Sequence, residues 1–272
     1  MMTEAIKLTG AQQTMLGTLG HRVRDARSPR PVLDDTAAVE IAERIGHPFT
    51  DDAGHDPRQA LVSVARCRQI DDWARPFLHQ HPDAVVLHLG SGVDTRRDRL
   101  RPGPGVSWFE VDHPDVIALR RKIIPAPPSV TLIGADVTDL TWLDPIPTGR
   151  PTLVVAEGLS MYLPPKKGLA LVARLVERFD GELIMDVNGS AGRLGQVTNR
   201  NVRQSRARWR WFVNDPRTLE RTGATVQQTR ANVDLLRQYA PGRLSLQHQL
   251  GLGVLGAVGF GRRAGQVVRL AI

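Results

Sequence analysis

The rhythm of apolar positions changes near residue 84. Before it, apolar residues recur at helical spacing. Ala37, Ala38, Val39, Ile41, Ala42 and Ile45 predict a helix that Asp34-Asp35-Thr36 starts and Gly46 and Pro48 end. A second helix is predicted over 57–78, with Leu61, Val64, Ala65 and Ile70 on one side. Pro76 is expected at a kink or late boundary.

After residue 84 the apolar residues gather into short runs at 84–89, 106–111, 130–133, 152–156 and 183–187. Helix-compatible segments such as 166–179 lie between some of them. This alternation predicts βαβ units: a mostly parallel α/β sheet with helices on both faces. Segments 224–228 and 266–270 are candidates for later strands. The predicted organisation is one domain: a helical cap over 1–80, a core over 81–189, an inserted lid over 190–245, and 246–272 completing the sheet.

Ligands of such sheets sit beyond the carboxyl ends of the strands, so the loops there carry the candidate chemistry. The first loop reads Gly90-Ser91-Gly92-Val93-Asp94-Thr95. Two glycines allow close backbone approach, but Thr95 stands where a dinucleotide fingerprint has its third glycine. Alone, this is equally the signature of a tight strand-to-helix turn. Asp112 follows Gly90 by 22 residues, near the spacing of an acid that chelates ribose hydroxyls. The other reading is a helix cap or a surface acid, and Glu110 fits that better. Asp136 and Val137, after the third run, could hold an adenine by its amine and its ring face; Asp136 could equally cap a turn. Glu157 ends the fourth run, where a buried carboxylate needs a partner, and a cationic ligand is one way to supply it.

Four motifs in this order, LGSGVDTR, FEVDHPDVIALRRK, ADVTDL and AEGLSMYL, resemble the leucine carboxyl methyltransferase family, in particular its bacterial polyketide O-methyltransferase branch. The upstream helix ARCRQIDDW and the later WRWFVNDPRTLE fit as well, so the resemblance covers residues 8–230. It implies a Rossmann-like class I methyltransferase fold with a seven-stranded sheet, using S-adenosylmethionine and releasing S-adenosylhomocysteine. By motif position, Arg66 would bind the methionyl carboxylate, with Arg68, Arg96 and Arg97 as substitutes. Gly90, Ser91, Gly92 and Asp94 would form the cofactor loop. Asp112 with His113 would take the ribose, and Asp136 with Val137 the adenine. Glu157 would lie near the methionyl end and Tyr162 beside the acceptor, the pair being the candidate catalytic residues.

Charge adds a second theme. Lys+Arg is 36 against 28 Asp+Glu, a net of +8, and only four of the 36 are lysine. Nine arginines and two acids fall between Ser190 and Arg230, so nearly all of the surplus is local. The expectation is a lid in which Arg203, Arg206 and Trp209 contact an anionic acceptor, either free or on an acidic carrier protein. The competing reading is RNA binding by a helical stripe of Arg200, Arg203, Arg206 and Arg210. An RNA or protein methyltransferase and an NAD(P)-dependent oxidoreductase are the alternatives to a small-molecule O-methyltransferase. The oxidoreductase lacks a usable Tyr-x-x-x-Lys pair, because Pro164-Pro165 separates Tyr162 from Lys166. No nucleic-acid partner and no metal are expected. The single cysteine, Cys67, rules out an intramolecular disulfide and a Cys-rich zinc site; no signal peptide and no apolar span are read, and a cytoplasmic protein is expected. No acceptor-side residue stands out as a general base. That favours a carboxyl acceptor, or an already acidic hydroxyl.

Overall fold

The computed structural model describes residues 11–46, 57–193, 196, 208–243 and 260–272. Arg203 and Arg206 lie outside them.

Seven strands form one sheet: β1 (Val85–Leu89), β2 (Ser107–Asp112), β3 (Val130–Gly134), β4 (Thr152–Ala156), β5 (Gly181–Val187), β6 (Thr225–Ala231) and β7 (Gln266–Ala271). Their spatial order is β3-β2-β1-β4-β5-β7-β6. The first five run parallel, and β7 enters antiparallel to β5. The order reverses between β1 and β4, which places the binding crevice there. Helices α1 (Ala11–Ala26), α2 (Thr36–Ile45) and α3 (Pro57–Gln80) precede the sheet. Between and after strands come α4 (Arg96–Leu100), α5 (Pro114–Ile123), α6 (Pro165–Arg178) and α7 (Asn232–Tyr239).

Period-two burial sorts the side chains. Val85, Leu87 and Leu89 of β1 join Leu171, Val172 and Leu175 of α6 on one face. Val86 joins Ile70, Trp73 and Phe77 of α3 on the other. β1, β4 and most of β5 are buried throughout, as strands covered on both faces must be. At the start of β5, Gly181 has φ +154 and a Cβ there would fall 2.0 Å from the Thr152 carbonyl, so only glycine fits.

Local signals set the helix ends. Asp35 caps α2 through its side chain, and Gly46, in the left-handed region, closes it. Pro114 and Pro165 occupy first-turn positions, where the missing N–H is harmless. Pro76 does not end α3, which runs on to Gln80.

The polar stretch over 190–245 is not a lid throughout. Residues 225–231 form the edge strand β6, and α7 packs on α3 through Leu235 and Leu236. Its exposed polar face, Thr225–Arg230, is what an uncovered edge requires, and it explains the weak apolar signal there.

The N-terminal helices are clamped to the first loop by buried charge. Arg22 of α1 donates to Asp35 (2.8 Å), Thr95 Oγ1 (3.1 Å) and the Val93 carbonyl (2.9 Å). Arg99 of α4 reaches the same Asp35 at 2.9 Å. Burial opposes ionisation of Asp35, but Arg22, Arg99 and the Thr95 hydroxyl together hold its carboxyl below the usual range. Asp35→Ala would leave two buried guanidiniums short of a carboxylate. The expected cost is about 3 kcal/mol, read by urea unfolding. A loss under about 1 kcal/mol would show that the cap docks by apolar packing instead.

Candidate active site

A cavity of about 690 Å³ opens at the strand reversal. Each predicted loop supplies part of its wall. Gly90 (φ +65) and Gly92 (φ +49) turn the chain out of β1, and Gly92 lets Met15 of α1 pack 3.4 Å from where a Cβ would sit. Asp112 ends β2. It accepts from the Gly92 N–H at 2.8 Å and from the His113 N–H at 2.7 Å. Burial raises its carboxyl above the usual range despite these two bonds. Asp136 accepts from the Thr138 N–H at 2.8 Å. Partial burial works against its ionisation, yet Thr138, His113 and Lys167 hold it below the usual range.

The floor is a buried ion network. Arg96 has no exposed side-chain surface and contacts Asp71, Asp94 and Glu157. Arg99 reaches Asp71 at 2.7 Å and Asp94 at 2.9 Å. Arg66 of α3 donates to Glu157 at 2.9 Å and lies 3.0 Å from Asp186 of β5. Burial would raise Glu157, but Arg66 and Arg96 win and lower its carboxyl to about 2. Asp186 goes the other way: burial and the nearby Glu157 carboxylate push it up against Arg66.

Arg22, Arg66, Arg96 and Arg99 face Asp35, Asp71, Asp94, Glu157 and Asp186. The formal balance leaves one negative charge beside the cavity, which therefore suits a ligand bringing a positive one. Two further floor groups, Ser91 Oγ and His88 Nδ1, are buried and make no hydrogen bond among the described residues. Both residues line the cavity. Buried polar atoms without partners mark where a ligand would complete the bonding.

Most of the sequence-predicted residues come together here. Arg66, Gly90, Ser91, Gly92, Asp94, Asp112, His113, Asp136, Val137, Glu157 and Tyr162 all line the cavity. The partners of Glu157 are Arg66 and Arg96, so no ligand cation is needed to satisfy it. Asp94 is engaged by Arg22, Arg96 and Arg99, so its carboxylate holds the loop instead of reaching for a ligand. Of the substitutes for Arg66, Arg96 is buried beneath the floor, Arg68 pairs with Asp72, and Arg97 donates to Ser129. Glu110 is buried against Arg120, which also donates to the Gly92 carbonyl at 3.0 Å, so this acid is a loop support.

Trp209 corrects an expectation: it is half-buried and does not line the cavity, whereas its neighbours Arg208 and Arg210 do. The reason is the backbone. Residues 208–213 are not helical, and burial alternates along them. Arg210, the last member of the expected stripe, is likewise not helical, while Arg200, Arg203 and Arg206 lie outside the described residues. Tyr162 sits in a 3₁₀ turn (Ser160–Tyr162) while Lys166 is in α6, so they share no helical face. Sequence reasoning missed Arg22, Cys67, His88 and Asp186. No local motif marks them.

A model of the leucine carboxyl methyltransferase family matches residues 15–176. The chain is 40% identical over 220 residues to the tetracenomycin polyketide synthesis O-methyltransferase TcmP of Streptomyces glaucescens, covering 80% of this chain and 81% of that one. It is 35% identical over 256 residues to the S-adenosyl-L-methionine-dependent methyltransferase dpfgK of Gibberella zeae, covering 86% of each. Among solved structures, a Thermobifida fusca protein assigned to the methyltransferases shares the fold with a TM-score of 0.59 at 18% identity, covering 92% and 93%. Magnesium protoporphyrin IX methyltransferase of Synechocystis PCC 6803 does so at 0.50 and 12%, covering 88% and 97%.

The floor has a pH signature of its own. Burial, with Arg96 and Arg120 adding to it against Asp94, lowers the His88 imidazole to about 3. The folded state therefore binds fewer protons at this residue than the unfolded state does. Its contribution is complete above the ordinary histidine value and fades as pH falls towards 3. Between pH 7 and 5, unfolding free energy should drop by roughly 1–2 kcal/mol. His88→Gln should flatten that slope in urea unfolding at the two pH values. An unchanged slope would mean that the imidazole is protonated in the fold.

Proposed function

The chain belongs to the leucine carboxyl methyltransferase family and is an S-adenosylmethionine-dependent methyltransferase; on that premise we propose that it methylates a carboxylate oxygen of a polycyclic, polyketide-type small molecule. The observation that carries the acceptor is that, among the described floor residues, Glu157, His88 and Cys67 are not poised as bases. Glu157 is held near 2, because two arginines overcome its burial, and both of its oxygens are engaged by them. His88 is held near 3, and burial pushes the Cys67 thiol above its usual range. None of these groups accepts a proton readily at neutral pH. An ionised carboxylate needs no base, whereas an ordinary hydroxyl does.

The residues fit the cofactor. The floor's surplus negative charge suits a sulfonium with its neighbouring ammonium, and Ser91 Oγ is a buried donor awaiting an acceptor. Two Arg66 nitrogens hold Glu157 and Asp186; the third, Nη2, lies 4.0 Å from where a Cβ on Gly158 would sit. That nitrogen is assigned to the methionyl carboxylate, and Gly158 (φ +67) keeps its approach open. Asp112 is assigned to the ribose hydroxyls, with His113 beside it. Asp136 and Val137 take the adenine. When bound, the cofactor supplies a methyl group already activated by its positive sulfur. The protein's own contribution is alignment of the acceptor oxygen, exclusion of water and a fixed field. Tyr162, at the wall beside Gly158 and Leu163, borders the acceptor side.

Two outcomes test this reading. Calorimetric titration with S-adenosylhomocysteine should show binding that Asp112→Ala weakens at least about tenfold, since two charge-assisted hydrogen bonds are lost. Methyl transfer to an aromatic acid should give a product that mild alkali hydrolyses, as an ester does and an ether does not. Its rate should be nearly flat from pH 6 to 9. A rate rising about tenfold per pH unit would instead indicate a hydroxyl acceptor that must first ionise.

A further inference from the structure

The cavity mouth carries charge that this chemistry does not use. Residues Arg208, Trp209 and Arg210 lead into a segment pinned from behind. The Trp211 side chain is 5% exposed and wedged against Gly168 of α6, where a Cβ would fall 2.2 Å from the ring. Val213 is equally buried. The Arg210 N–H donates to the Met161 carbonyl at 2.7 Å, and the Val213 N–H to the Asn188 carbonyl at 2.8 Å. This backbone therefore cannot slide without breaking the packing of α6 and the turn that bears Tyr162. Alternation then sends Arg208 and Arg210 to one side, opposite Trp211 and Val213. Both are exposed, and both line the cavity.

They differ in kind from the arginines below. Each floor guanidinium holds at least two carboxylates, whereas Arg208 and Arg210 have no carboxylate partner among the described residues. Both side chains share one cavity wall beside a segment held by backbone bonds at Arg210 and Val213. Two neighbouring forks of donors suit a carboxylate.

We propose that Arg208 and Arg210 form an anion subsite at the cavity mouth that holds a second carboxylate of the acceptor, remote from the oxygen that is methylated. This rests on the acceptor reading above and narrows it to aromatic acids carrying an anion at the outer end. The separation follows from depth. The reacting oxygen must enter the cavity, whereas these guanidiniums stand at its exposed rim. Pairing with arginine would also tie up the lone pairs a nucleophile needs. A non-reacting anion instead orients the acceptor, and binding energy gathered there serves alignment at the buried end.

The test uses the protein saturated with S-adenosylhomocysteine and two probes of equal shape, 2-naphthoate and 2-naphthamide, titrated calorimetrically. Wild type should prefer the anion by about tenfold, with the preference falling as salt is raised. The double variant R208Q/R210Q should bring the two probes within about twofold of each other, while its S-adenosylhomocysteine affinity, which also reports its fold, stays within about twofold of wild type. No anion preference in wild type, or a preference the double variant keeps, would overturn the subsite; the latter would place the bound carboxylate in the floor. If wild type does not bind S-adenosylhomocysteine at all, the cofactor reading fails first, and the subsite with it.

Discussion

The structure hangs on one fully buried guanidinium. Arg96 begins α4, yet its donors reach Asp71 on α3, Asp94 in the first loop and Glu157 beyond β4. Three segments distant in sequence are thereby fixed to one planar fork. Removing such charges from water costs several kcal/mol each, and only close pairing offsets it. The network therefore tolerates little displacement. It is a poor way to gain stability and an effective way to hold a loop in one geometry. The glycine turn that must approach a ligand is held from below by Arg96 and from the side by Arg120, which donates to the Gly92 carbonyl.

The same arrangement decides what chemistry the site can do. Strong pairing keeps Glu157 ionised, and burial keeps His88 neutral, far from neutral pH in both cases. Groups held so far from the working pH are fixed charges and dipoles, not proton carriers. Glu157 and His88 can stabilise a charge distribution but are not suited to take a proton from an acceptor. This suits a reaction whose leaving group is already activated and whose nucleophile is already an anion. The N-terminal cap belongs to the same unit, since Arg22 and Asp35 share Thr95 and Asp94 with the floor.

The parts of this that were legible in the sequence are those with short-range signals. Short apolar runs marked every parallel strand, and strand-end residues such as Asp112 and Asp136 could be placed from the loops that follow them. The sheet edge at 225–231 was faint because its exposed face is polar. The network was not legible, because apart from the contacts of Asp94 with Arg96 and Arg99 its members pair across 13 to 120 positions. Asp35 is legible only as a helix start, and Arg22, Asp71 and Arg99 carry no signal, since nothing local distinguishes a buried pair from a solvated one. In the arginine-rich stretch the expectation placed Trp209 at the acceptor. Residues 208–213 are not helical and their burial alternates, so Arg208 and Arg210 line the cavity and Trp209 does not.

Depth then orders the charge. The floor holds a surplus of carboxylate shielded from water; the mouth holds unpaired guanidinium in contact with it. Screening is weak at the floor and strong at the rim, so the two ends act over different ranges. The rim attracts an anion from solution but binds it loosely, as exposed pairs do. The floor's surplus of carboxylate suits a cation, and the cationic cofactor is what offsets it. On the proposed reading, an acceptor with an anionic outer end is held at the mouth by that end, which leaves the reacting end free to enter. A neutral acceptor of the same outline would lack this anchor.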